Sequence, residues 1–202
     1  ERGEKFTVRG EHGVLRLFVH WFNGPWRVDL DLGALLLDAD FRQVTTVDYS
    51  SHHDNRGFAT YSGDITEAPM PDGAAEFIDV DLKAVLRAHP DARYVAMTVN
   101  SYTGQHLSAV DHLAGAMLRS DVDAGKHFDP RTGTTAFRSS SESTLVSPMV
   151  VDLVTCEAIW VDTSNGSRTA GYSISRGGTL AEAIAAEIGA DRMTYCDMAE
   201  IA

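Results

Sequence analysis

The segment GVLRLFVHWF, residues 13–22, sets Leu15, Leu17, Val19 and Trp21 at every second position, with Arg16, Phe18 and His20 between them. A helix would scatter those four large side chains around its circumference, whereas a strand places them on one face. This period of two recurs along the chain and limits the fold more than any other feature. WRVDLDL (26–32) sets Val28, Leu30 and Leu32 against Asp29 and Asp31. FRQVTTVDYS (41–50) and FATYSGD (58–64) read as shorter strands. In EFIDVDL (76–82), Phe77, Asp79 and Asp81 share one face and Ile78, Val80 and Leu82 the other; ARYVAMTVNSY (92–102) is rich in β-forming residues. Asn23-Gly24-Pro25 punctuates the first two strands, and Asn165-Gly166 predicts a hairpin between MVVDLVTCEAIWVDT and RTAGYSIS. Leu35-Leu36-Leu37 is apolar on both faces, as in the interior of a packed sheet.

Helical signals are few. LKAVLRAHP (82–90) reads as a short helical turn ended by Pro90, and HLSAVDHLAGAMLRSD (106–121) fits either a strand or a helix. Near the end, Thr179 and Glu182 match a capping box, Leu180, Ile184 and Ile188 stack at i, i+4 and i+8, and Gly189 suits the position after the last turn. Many short strands with turn-rich connections and one terminal helix predict a mainly β fold. The expected form is a two-sheet β-sandwich with short helical turns and a C-terminal helix. The sandwich is expected over residues 1–175 and a helical extension over 176–202. A chain that opens on Glu1 rather than Met reads as a piece of a longer chain.

The net charge of −12 leaves no basic stripe for phosphates, which argues against nucleic acid and anionic membrane surfaces. No apolar run reaches membrane-spanning length. Two cysteines outside any C-x-x-C indicate a reducing compartment rather than a disulfide scaffold. A nucleophile elbow is absent, neither cysteine has a histidine nearby in sequence, and the histidine spacings do not fit a zinc helix. The expectation is therefore no enzyme.

The acids are concentrated: twelve lie between Asp29 and Asp81, against Arg42 and Arg56 alone. Clustered acids repel unless they are solvated or meet a cation, and calcium takes six to eight oxygens, commonly from carboxylates on loops. Asp29 and Asp31 on one strand face, Asp64 after Gly63, then Glu67, Asp72 and Glu76 in a non-periodic loop are the candidate ligands. A solvated acidic face that contacts a basic protein partner without metal is the alternative.

Taken in order, VDLDLGALLLD, YSGD, the acidic loop, FIDVDLKAV and ARYVAMTVNSYTGQHLSAV resemble the tellurium-resistance TerD family of bacterial stress proteins. The resemblance runs from about residue 6 to about 175 and rests most on Asp29-Leu30-Asp31, Ser62-Gly63-Asp64 and Val80-Asp81-Leu82. It implies a cytoplasmic, non-enzymatic β-sandwich that binds calcium through its acidic loops and works through protein partners. Asp31, Asp64, Asp72 and Glu76 match family acids. However, Ile65-Thr66-Glu67-Ala68 replaces the family's Asn-Arg-Thr-Gly, and Gly73-Ala74-Ala75 stands where further acids are expected. The implied metal is accordingly one calcium ion, weakly held or lost, with Glu67 as a substitute ligand.

Overall fold

The computed structural model describes residues 2–9, 13–51, 57–119, 136–164 and 178–191. Eleven antiparallel strands are seen among them: β1 Lys5–Thr7, β2 Val14–Trp21, β3 Leu30–Leu37, β4 Gln43–Val47, β5 Ala59–Tyr61, β6 Ala74–Asp81, β7 Tyr94–Ser101, β8 His112–Arg119, β9 Ala136–Phe137, β10 Leu145–Asp152 and β11 Glu157–Ser164. One sheet has the order β1-β11-β10-β7-β3-β4 and the other β5-β6-β2-β8-β9. Helix α1 is Leu82–Ala88 and helix α2 is Gly178–Asp191. The expected mainly β, two-sheet architecture with a C-terminal helix is what the chain adopts. The ambiguous segment 106–121 resolves into a 3-10 turn at Leu107–Ala109 followed by β8. The Asn165-Gly166 hairpin lies outside the described residues. No described helix is long and apolar enough to cross a membrane.

The alternation sorts side chains between layers. Leu15, Leu17, Val19 and Trp21 of β2 meet Leu30, Leu32, Ala34 and Leu36 of β3 in the core between the sheets. Leu35 and Leu37 point the other way, which explains the run that is apolar on both faces. With Ala96, Val150 and Val161 they form a second core beneath Leu180, Ala181, Ile184 and Ile188 of α2. Each fully buried Leu or Ile there contributes roughly 1.5–3 kcal/mol.

Two local expectations are corrected. The second strand was expected from residue 26, but β3 begins at Leu30. The preceding backbone is taken up elsewhere: Val28 N donates to Asn23 Oδ1 and Asp29 N to Thr103 Oγ1. The terminal helix starts at Gly178, before the expected cap residue Thr179, and it continues through Gly189 to Asp191. Burial of its apolar stripe outweighs the weak helix preference of glycine, a cost of about 1 kcal/mol. Arg16, which alternates with the core residues of β2, is buried as well. Its Nε and Nη2 donate to Asp79 Oδ1 and Oδ2, each at 2.6 Å, and both residues are fully buried.

Candidate metal centre

Asp29 immediately precedes β3 and Asp31 is its second residue, so the two carboxylates leave the same side of the strand. That side is the one carrying Leu35 and Leu37, away from the inter-sheet core. Asp64 comes from the β5–β6 connection, beyond Gly63, whose φ of +112° suits a residue without a Cβ. One oxygen from each of Asp29, Asp31 and Asp64 lies within 4.8 Å of the others, the single such group of three His, Cys, Asp or Glu among the described residues. Asp64 is exposed, whereas Asp29 and Asp31 are only 3% and 4% exposed.

Two residues hold the acidic loop against the start of β3. Asn23 N donates to Ala68 O at 2.6 Å, while Asn23 Oδ1 accepts from both Val28 N and Ala68 N. Glu76 ties the same loop to the opposite sheet. Its Oε1 accepts from Ile65 N at 3.0 Å, and its Oε2 accepts from Leu32 N at 2.9 Å and Tyr61 Oη at 2.7 Å. β4 pairs only with the later half of β3, so Leu32 has no strand partner on that edge and Glu76 substitutes for one.

The six sequence candidates therefore separate. Asp29, Asp31 and Asp64 converge. Glu76 is fully buried and both its oxygens are engaged by protein donors, behind the cluster rather than in it. Glu67 and Asp72 are exposed side chains outside the group. Packing leaves no room for acids at 73 and 74. Gly73 has φ +70°, and a Cβ there would collide with Trp21 O; Ala74 faces the core.

Sequence reasoning missed Asp48 and Asn100. Asp48 is buried, and its charge bears on Asp31, but its Oδ1 accepts from the backbone N–H and hydroxyl of both Ser50 and Ser51. Asn100 faces Asp31 across the β3–β7 ladder and donates from Nδ2 to Asp31 Oδ2 at 3.0 Å. The signal for Asn100 was a polar residue on the α2 side of the most strand-like segment. For Glu76 it was parity, since Glu76 shares a face with Ile78 and Val80.

Electrostatically the cluster is strained. Burial, above all, pushes the Asp31 pKa up to about 6, with Asp29, Asp64 and Asp48 adding repulsion and the Asn100 hydrogen bond opposing them. Burial and Asp64 also raise Asp29, against the pull of Arg27, whose Nη2 is 3.3 Å from Asp29 Oδ2. Burial pushes Glu76 up to about 8 despite its three donors. Asp29 Oδ1 is buried and has no hydrogen-bond partner among the described residues.

A Ser, a His and an Asp also meet in the described chain, at Ser139, His112 and Asp162, but they are not wired for nucleophilic attack. His112 Nδ1 donates to Val110 O, its Nε2 accepts the backbone N–H of Ser139, and the Ser139 hydroxyl bonds Asp162 directly. A catalytic histidine would instead contact the hydroxyl and be oriented by the acid.

Comparison with known proteins places this geometry. No family model matches the chain. The tellurium resistance protein TerZ of Serratia marcescens is 32% identical over 91 residues, which is 45% of this chain and 45% of TerZ, so the match spans about half the length of that relative. A solved homologue of the telluride resistance protein TerD from Streptomyces coelicolor superposes with a TM-score of 0.57 at 12% identity, over 85% of this chain and 98% of that one. A solved protein of unknown function superposes with a TM-score of 0.53 at 14% identity, over 77% and 93%. At these identities the two solved structures speak to the fold, and TerZ carries the likeness in sequence.

Proposed function

We propose that this chain, TerD-like in its fold and in the segment it shares with TerZ, is a cation-responsive binding module of a tellurium-resistance-type stress protein and not an enzyme. The observation that carries the reading is the convergence of Asp29, Asp31 and Asp64, with Asp29 Oδ1 buried and unpartnered. An all-oxygen, all-carboxylate set suits a hard cation, and no histidine or cysteine joins it to favour zinc. Three carboxylates supply part of the six to eight oxygens that calcium takes, leaving places for water. The raised pKa values of Asp29 and Asp31 support the same assignment, because groups that repel one another gain most from a dication. Calcium is the ion we assign, and a cytoplasmic location with protein partners belongs to the same proposal.

The test is thermal. Millimolar calcium should raise the melting temperature of the chelator-stripped protein, and Asp64→Asn should remove that rise while leaving the cation-free melting temperature nearly unchanged, since Asp64 is exposed. Identical melting with calcium and with chelator would sink the cation reading.

The Arg27–Asp29 ion pair favours a second reading, because it gives the cluster a counter-ion of its own. There the acidic face docks a basic protein without metal. Partner binding that weakens with salt and ignores chelator would favour it.

A further inference from the structure

Asn100 is 3% exposed, and its amide is only half used: Nδ2 donates to Asp31, while Oδ1 is buried without a partner. An idle buried acceptor costs free energy that an apolar residue at the same place would not. Asp29 Oδ1 is in the same condition. Two unpartnered acceptor oxygens, one anionic and one neutral, thus sit on residues adjoining Asp31.

We infer that Asn100 is a further ligand of the cation site, supplying a neutral amide oxygen beside the three carboxylates. The inference rests on the cation reading above and adds to it a residue outside the acidic run. In the cation-free protein the amide donates through Nδ2 and steadies the Asp31 carboxylate. When a cation engages Asp31, an N–H aimed at the metal is repelled, and a half-turn about χ2 exchanges Nδ2 for Oδ1. The two ends of the amide have nearly the same shape, so the exchange needs no backbone movement. A neutral donor is also the one suited to this place. Three carboxylates already exceed the charge of a dication, and a fourth would add repulsion in the cation-free fold without being needed for neutrality. An amide oxygen raises the coordination number and adds no charge.

Thr98 provides an internal control. It lies two residues away on the same face of β7, fully buried, and its hydroxyl also lacks a partner, but the inference gives it no part in the cation site.

The experiment is calorimetric titration of the chelator-stripped chain with calcium chloride, for wild type, Asn100→Ala, Asn100→Asp and Thr98→Val. Asn100→Ala should weaken binding on the order of tenfold, by loss of one ligand. Asn100→Asp should tighten it by a comparable factor, because a charged oxygen replaces a neutral one, while melting lower than wild type without calcium. Thr98→Val should bind as wild type does. An Asn100→Asp variant that binds calcium more weakly than wild type overturns the inference, as do Asn100 variants that bind within twofold of wild type. Should Asn100→Ala fail to fold, the sign of the Asn100→Asp effect decides alone. A wild-type protein that takes up no calcium overturns the cation reading itself, and the role of Asn100 with it.

Discussion

Replacing Asp31 with asparagine separates the stability of the fold from the proposed affinity for a cation. Asp31 is 4% exposed, and its pKa rises from 3.8 to about 6, chiefly through burial. A carboxyl that holds its proton more tightly in the fold than in the open chain stabilises the fold while protonated. That contribution is complete below about pH 4 and is lost as the pH rises through about 6. A shift of about two units corresponds to roughly 3 kcal/mol withheld from the fold at neutral pH. For a chain of this length that is roughly 6–12 °C in melting temperature. The amide introduced by Asp31→Asn would keep an oxygen for Asn100 Nδ2 and remove the charge. In chelator at about pH 7.5, Asp31→Asn should therefore melt above wild type by up to that amount, and the gap should close towards pH 4. Millimolar calcium should reverse the order, since wild type gains stability and the variant has lost a ligand. Differential scanning calorimetry over this pH range, with chelator and with calcium, reads both effects. A variant that melts at or below wild type in chelator, or a gap that ignores pH, would refute the electrostatic reasoning.

Other perturbations address the scaffold. Glu76→Leu removes the acceptor of the Leu32 N–H, the Ile65 N–H and the Tyr61 hydroxyl, and should cost about 3–5 kcal/mol by urea denaturation, far more than an exposed acid such as Glu67→Leu. Gly73→Ala forces a side chain into a positive-φ position against Trp21 O, and a loss of at least ~2 kcal/mol is expected in the same assay. Ile184→Ala empties a fully buried site between α2 and the six-stranded sheet; a drop of roughly 2–5 kcal/mol in one cooperative transition would show that the helix is integral to the domain, and an unchanged midpoint would show that it is an appendage.

The acidic cluster was partly legible in the chain. Asp29 and Asp31 fall on one side of β3 whatever surrounds them, and Gly63-Asp64 announces a turn that carries an acid. The weaker candidates misled because acidity was read without parity. Glu76 was grouped with the loop, yet it has the same parity as Ile78 and Val80, and β6 already begins at Ala74. Asp72 and Glu67 are acids of the same loop whose side chains remain outside the cluster. Positions 73 and 74 do not suit acids, because Gly73 closely approaches β2 and Ala74 turns inward.

By itself the sequence determined the alternation of the main strands, the face that their apolar residues take, the apolar stripe of α2 and the shared side of Asp29 and Asp31. Those properties are local, because covalent geometry alternates side chains along an extended chain and repeats them every 3.6 residues along a helix. Tertiary structure alone decided which polar faces stay wet. Arg16 and Asp79 look solvent-facing in their own segments, yet they form a dry ion pair across the β2–β6 register, 63 residues apart in sequence. Asn100 is a plain strand residue until the ladder sets it opposite Asp31, and Glu76 becomes the partner of Leu32 only because the two sheets face each other. Burial and pairing depend on what distant segments lay over a residue, and the neighbours of that residue in the chain carry no record of it.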